Sequence, residues 1–268
     1  MANGSGARRC AIVTAWLESP PERPEWPAGD DFVICVDGGY AIAEAAGLVP
    51  DLVIGDFDSL RGDVAPGVDT ERLPAEKDDT DTMLALKRGF DMGFRDFLIV
   101  GGLGGRFDHS LANIQALSYC LDMKGRAVIA DGGNIAMMTD DAALRLERRE
   151  GFYFSLFSWS ESCEGLCVDG AKYPLDGYRL TRDDPLGVSN EFLAGPALIR
   201  KKAGRLLIVL SRDRAAADRG CYYSHATPFL PISEPGCDYC LPHVASSTLR
   251  EPKSPPEPDL DKTDAACE

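Results

Sequence analysis

Residues 97–106 read Phe97-Leu98-Ile99-Val100-Gly101-Gly102-Leu103-Gly104-Gly105-Arg106. An unbroken apolar run of this length suits a strand buried on both faces. The glycines end it, and helical spacing resumes from Leu111 to Met123. Strand, glycine turn and helix in that order make half of a βαβ unit. The same rhythm extends outward in both directions. Arg9 to Trp16 and Phe32 to Val36 read as strands, and Tyr40 to Ala46 as a short helix stopped by Gly47 with Pro50 close behind. Leu52 to Ile54 is a brief strand. Met83, Leu84, Leu86 and Phe90 set a helix over Thr80 to Gly89, and Ala127 to Ala130 is a further strand. The expectation is an α/β fold whose first domain, residues 1–145, is a mostly parallel sheet covered on both faces.

The pattern changes near Asp140. Ala143 to Leu146, Gly151 to Ser158, Leu166 to Val168, Tyr178 to Thr181, Ala197 to Arg200 and Arg205 to Leu210 read as short strands between turn residues. With no helix between them, they predict a second, smaller antiparallel β-sandwich domain over residues 146–213. Residues 214–268 form a C-terminal extension. Its end, Glu251 to Glu268, is rich in proline, acid and lysine and is expected to be partly disordered.

A formal net charge of -15 argues against a nucleic-acid partner, because such a field repels phosphates. It also admits ATP only where a divalent metal masks the acids. No export signal and no membrane-span-length apolar run is visible, so a cytoplasmic protein is expected. The nine cysteines then read as thiols, with Cys10, Cys35 and Cys120 as small core residues.

The chemistry-bearing residues follow strands. Asp37-Gly38-Gly39, Gly55-Asp56-Phe57-Asp58-Ser59 and the loop Gly101 to Arg106 each end an apolar run. In open α/β sheets ligands bind beyond the carboxyl ends of the strands. Asp56 and Asp58 point the same way in an extended segment, and Lys77-Asp78-Asp79-Thr80-Asp81 adds acids at a helix start. Carboxylates without His or Cys neighbours suit magnesium. The plainer reading has Asp78 or Asp79 capping the helix and Asp56 and Asp58 making Asx turns. The glycine loop allows backbone N–H groups to approach phosphate, and Arg106 supplies a cationic fork. This loop is neither a P-loop nor a dinucleotide fingerprint. His109, beside Asp108, reads as structural before catalytic.

Taken in order, these motifs resemble those of bacterial thiamine pyrophosphokinases. The resemblance rests on Asp37-Gly38-Gly39, Pro50 to Ser59, Lys77 to Asp81 and Gly101 to His109. It continues through Gly170-Ala171-Lys172-Tyr173-Pro174-Leu175 and Gly187-Val188-Ser189-Asn190-Glu191-Phe192. It covers about residues 10–213, with one departure: Thr14-Ala15-Trp16 stands where small or glycine-containing residues are expected.

The resemblance implies transfer of the pyrophosphoryl group of ATP to the hydroxyl of thiamine, by a homodimer binding thiamine where subunits meet. It implies magnesium on Asp56, Asp58, Asp78 and Asp81, and ATP contacts from Asp37, Gly38, Lys77, Thr80, Gly102, Gly105, Arg106 and Asp108. Asp56, Asp58, Asp81 and Arg106 would be catalytic, with Asp81 orienting or deprotonating the hydroxyl. Tyr173, Ser189 and Asn190 would contact thiamine. Two other readings remain open: a pyrophosphokinase of the same fold acting on a pterin-like heterocycle, and a non-catalytic nucleotide- or metal-binding regulator. Outside the resemblance, Cys221, Cys237, Cys240 and His243 have zinc-ligand chemistry, the competing reading being an unstructured or merely packed tail.

Overall fold

The computed structural model describes residues 8–21, 25–57, 64–72, 78–212 and 230–231. The chain runs β1 (Cys10–Val13), β2 (Phe32–Val36), α1 (Gly39–Ala45), β3 (Leu52–Gly55), β4 (Asp69–Arg72), α2 (Asp81–Asp91), β5 (Asp96–Val100) and α3 (Phe107–Asp122). There follow β6 (Arg126–Asp131), β7 (Asn134–Thr139), β8 (Ala143–Leu146), β9 (Phe152–Ser158), β10 (Ser162–Asp169) and β11 (Leu175–Thr181). The last are β12 (Asn190–Glu191), β13 (Ala197–Arg200), β14 (Leu206–Arg212) and β15 (Leu230–Pro231).

One sheet has ten strands in the order β12-β9-β14-β7-β6-β5-β1-β2-β3-β4. From β6 to β4 every pair is parallel; from β6 to β12 every pair is antiparallel. The parallel strands expected from residues 1–145 therefore continue, without a break in hydrogen bonding, into strands from the later half. A second sheet of five strands, β11-β10-β13-β8-β15, is wholly antiparallel.

The central strands are apolar throughout because each side of the sheet is covered. In β1, Cys10 and Ile12 pack with α2 and α3, against Ala85, Leu86, Ala116 and Leu117. Ala11 and Val13 face the other way, into a cluster shared with Tyr40 and Ala43 of α1 and with Leu144, Leu166 and Ile199 of the second sheet. This alternation is the pleat itself. Cys10, Cys35 and Cys120 are core thiols as expected, and burial pushes each up to about 12.

Three readings need correction. Helix α3 starts at Phe107, four residues before Leu111, because Arg106 already serves as its N-cap residue. Helix α2 is capped by neither Asp78 nor Asp79: Thr80 Oγ1 accepts the N–H of Met83 at 3.3 Å. The strand β4 has the polar sequence Asp69-Thr70-Glu71-Arg72, so no apolar pattern marks it; it is an edge strand, held by its backbone pairing with β3.

Candidate active site

The parallel half reverses direction of growth between β1 and β5. From β1 the chain builds outward through β2, β3 and β4, then returns to place β5 and β6 on the other side. At such a switch point the loops leaving neighbouring strands part and open a crevice. Here that crevice is a cavity of about 440 Å³ lined by Asp37, Thr80, Asp81, Gly102 and Arg106, among others. These five expected site residues come from three separate segments of chain.

Each is held by local structure. Asp37 leaves β2 with φ of +45°, a left-handed conformation costly for a side chain with a Cβ. Its N–H donates to Ile54 O at 3.0 Å, and Gly55 makes room beside it, since a Cβ there would overlap the Asp37 carboxylate. Asp81 opens α2, where a carboxylate favours the positive end of the helix. Arg106 is exposed, and its guanidinium grips Asp108 with Nε to Oδ1 at 3.2 Å and Nη2 to Oδ2 at 2.5 Å. That guanidinium holds the Asp108 carboxyl below its ordinary value, and Asp108 raises Arg106 in return.

The glycine loop differs from its expected use. Gly101, Gly102 and Gly104 have φ of +86°, +83° and +104°, which only glycine adopts freely. Four of the loop's N–H groups, however, those of Gly101 to Gly104, are bonded within the protein. Gly101 donates to Ala130 O at 2.8 Å and Gly102 to Trp16 O at 2.9 Å. Leu103 donates to Asp131 Oδ2 at 3.1 Å, and Gly104 to Ser110 Oγ at 2.9 Å. The loop is thus a braced floor, and charge recognition in this cavity falls to side chains and to the N-terminus of α3.

Asp56, Asp78 and Asp108 lie outside the cavity lining. Asp56 follows β3 directly, and its carbonyl oxygen accepts from Arg72 Nε and Nη2 at 3.2 and 3.1 Å. Asp79 is engaged with Lys87, Nζ to Oδ2 at 2.5 Å. Asp58, Lys77 and the cysteine and histidine set Cys221, Cys237, Cys240 and His243 fall outside the described residues. Among the described residues no three His, Cys, Asp or Glu side chains are grouped closely enough to hold a metal ion.

A second group forms on the far edge of the large sheet. Asn190 Oδ1 accepts the N–H of Tyr173 at 3.0 Å, and its Nδ2 donates to Tyr173 O at 2.8 Å. Ser189 is left-handed at φ +57°, its N–H donating to Ser155 Oγ at 3.0 Å. Tyr173 is left exposed, with Lys172 Nζ over its ring at 5.5 Å. Asn190 thereby braces the backbone of Tyr173. Between Asn190 on β12 and the cavity beside β1 lie six strand spacings, about 29 Å along the sheet.

Sequence reasoning passed over several cavity residues: Thr14, Asn113 and Trp16 in the lining, and Asp131 beneath it. Asn113 Nδ2 donates to Gly102 O at 2.8 Å. An acid closing the apolar run of β6 just before Gly132-Gly133 was the available signal for Asp131.

Comparison with known proteins gives a consistent picture. A family model described as the thiamin pyrophosphokinase catalytic domain matches residues 26–130, and one described as the vitamin B1 binding domain of the same enzyme matches 142–204. The thiamine pyrophosphokinase of Bacillus subtilis is 31% identical over 188 residues, 67% of this chain and 87% of that one. The crystal structure of the Bacillus subtilis enzyme is similar with a TM-score of 0.70 at 28% identity, over 77% of this chain and 100% of that one. That from Geobacillus thermodenitrificans gives 0.67 at 26%, over 77% and 99%.

Proposed function

Because the chain belongs to the thiamine pyrophosphokinase family, it is a transferase that forms thiamine diphosphate, and we propose that the cavity beyond β1, β2 and β5 is its ATP site. The observation that carries the assignment is convergence. Asp37, Thr80, Asp81, Gly102 and Arg106 come from three chain segments to one crevice at the switch point.

The thiamine hydroxyl oxygen attacks the β-phosphorus of ATP in line, and the bond from that phosphorus to the α,β-bridging oxygen breaks. AMP leaves with the bridging oxygen, and the β and γ phosphates pass together to thiamine. Asp81 orients the hydroxyl and accepts its proton. Arg106, fixed by Asp108, meets the phosphate charge, with Lys77 as a second cation and the N-terminus of α3 alongside. Positioning and charge stabilisation supply most of the acceleration in such transfers.

The donor chemistry fits magnesium: the acids Asp56, Asp58, Asp78 and Asp81 are hard oxygen ligands. The lack of a tight three-ligand group among the described residues suits an ion that binds few carboxylates plus phosphate and water. When bound, magnesium neutralises phosphate charge. Zinc on Cys221, Cys237, Cys240 and His243 would be a separate structural centre, measured by elemental analysis of protein purified without chelator.

Thiamine is assigned to Tyr173, Ser189 and Asn190 in residues 146–213, and nucleotide to residues 1–145. The six strand spacings between these groups support a homodimer in which one subunit's Tyr173 face meets the other's cavity. So do the exposed apolar side chains Tyr173, Leu186, Val188 and Leu193 around Asn190. A cytoplasmic setting agrees with the free thiols and with the lack, among the described residues, of a helix able to cross a membrane. A coupled assay of AMP release from ATP tests the whole: release should require thiamine. Release with a pterin alcohol instead would favour the other pyrophosphokinase reading, and release with neither would refute both.

A further inference from the structure

Trp16 stands where the family motif leads one to expect a small residue, and it opens onto the cavity with 51% of its surface exposed. Its indole is thereby accessible to a ligand that enters the cavity. Its seat is specific. A Cβ on Gly105 would lie 2.8 Å from Trp16 Cε2, 3.0 Å from Cδ2 and 3.2 Å from Cζ2, and one on Gly104 3.4 Å from Nε1. Cε2 and Cδ2 are the ring-fusion atoms. An edge approach would bring the outer atoms nearest, so Gly105 lies under the indole face. One face rests on the glycine loop, and about half of the residue's surface stays exposed where it lines the cavity. The backbone is pinned too, Trp16 O accepting from Gly102 N at 2.9 Å and from Thr14 Oγ1 at 3.0 Å. A rigid aromatic plane therefore shares the switch-point cavity with Arg106, Asp37 and Asp81.

We infer that Trp16 is a stacking platform for the purine ring of the nucleotide, an inference that rests on the reading of this cavity as the ATP site. The base is tethered to the phosphates that Arg106 meets, and every base has a π face to lay on indole. Thiamine, the other flat heterocycle, is assigned to the Tyr173 face, which offers an exposed aromatic ring of its own. The glycines at 104 and 105 then have a second purpose: they let the indole lie flat.

Two measurements on the full-length chain decide this. In steady-state kinetics Trp16→Ala should raise the KM for ATP about tenfold or more, from the usual worth of base–aromatic stacking. The KM for thiamine should stay within about twofold, and Trp16→Phe should fall between wild type and alanine. An unchanged KM for ATP in Trp16→Ala overturns the inference. A rise in the thiamine KM alone overturns it in favour of thiamine on the indole. The second measurement needs neither turnover nor the alanine variant. ATP should quench the intrinsic fluorescence of wild type but not of Trp16→Phe, and inorganic tripolyphosphate should quench neither. Equal quenching by tripolyphosphate, or quenching retained in Trp16→Phe, overturns the platform. If wild type shows the ATP-specific quenching yet releases no AMP with thiamine, the assigned reaction fails and the nucleotide platform stands.

Discussion

The carboxylate of Asp131 accepts the backbone N–H of Leu103 at 3.1 Å through Oδ2, and through Oδ1 that of Glu18 at 2.8 Å. One buried side chain at the end of β6 thereby ties the loop after β5 to the loop after β1, the two that part to make the cavity.

Burial pushes the Asp131 carboxyl up to about 6, the backbone donors pulling against that rise. Its ordinary value is about 4. The folded protein then holds this proton more tightly than the unfolded chain does. The resulting stabilisation is full below about pH 4 and is lost as pH rises through about 6. Asp131→Asn does not titrate, so it lacks that loss. Melting temperatures of both proteins from pH 4 to 7 should show wild type's advantage shrinking with rising pH. A constant gap would mean that Asp131 titrates outside this window. The amide offers one acceptor oxygen instead of two, so catalytic efficiency at pH 7 should also drop, by about tenfold, the worth of one hydrogen bond to a charged group.

Asp56→Asn and Asp81→Asn should each lower turnover by about two orders of magnitude or more, with the circular dichroism of wild type, because each removes a carboxylate charge proposed to hold the metal ion. Chelation should abolish wild-type turnover and magnesium restore it. Near-wild-type rates in both variants at saturating magnesium would remove these acids from the site.

How much of this was legible beforehand depended on what each feature is made of. The parallel core was plain because its strands are buried on both faces, so Phe97 to Val100 and Phe32 to Val36 are uniformly apolar. The polar strand β4 was hidden, since an edge strand is bound by backbone and carries no pattern. The antiparallel strands of the second half were visible, but not which sheet each joins. Leu206 to Arg212 contains nothing that says it pairs with both β7 and β9. Acid-bearing loops stood out at the site by composition. Thr14, Trp16 and Asn113 did not, because their membership depends on which loops meet in space.

Mixing two inactive variants tests the shared site. If Asp81 of one subunit works with Asn190 of its partner, Asp81→Asn and Asn190→Ala chains mixed and re-equilibrated should recover about a quarter of wild-type activity. Half the dimers are then mixed, and each has one intact site of two. No recovery, with native mass spectrometry showing exchanged dimers, would place the whole site within one chain.

Arg205 reaches Asp140 through Nε and Nη2 at 2.9 and 2.8 Å, Asp122 at 2.9 Å and the Ser118 hydroxyl at 2.5 Å. It fastens α3 to the turn after β7. Arg205→Ala should cost about 1–3 kcal/mol in urea unfolding, most of it from the half-buried Ser118 contact, since the exposed pairs with Asp140 and Asp122 contribute little. Turnover at low temperature should be unchanged, as Arg205 is outside the cavity lining. A loss below about 0.3 kcal/mol, within the scatter of surface substitutions, would make the cluster decorative.

The last strand of the large sheet in chain order, β14, lies between β7 and β9. During synthesis this means that the sheet cannot be closed until residues 206–212 have left the ribosome. Until then Ile135 and Met137 on β7, and Phe154 and Leu156 on β9, flank an open slot with unpaired backbone on both sides. Nascent chains that end between Ser158 and Arg205 carry two sticky margins. The emergence of a single late strand therefore joins β9 to β7, and through β7 to the parallel half, and a chain cut short of it is a substrate for chaperones and proteases.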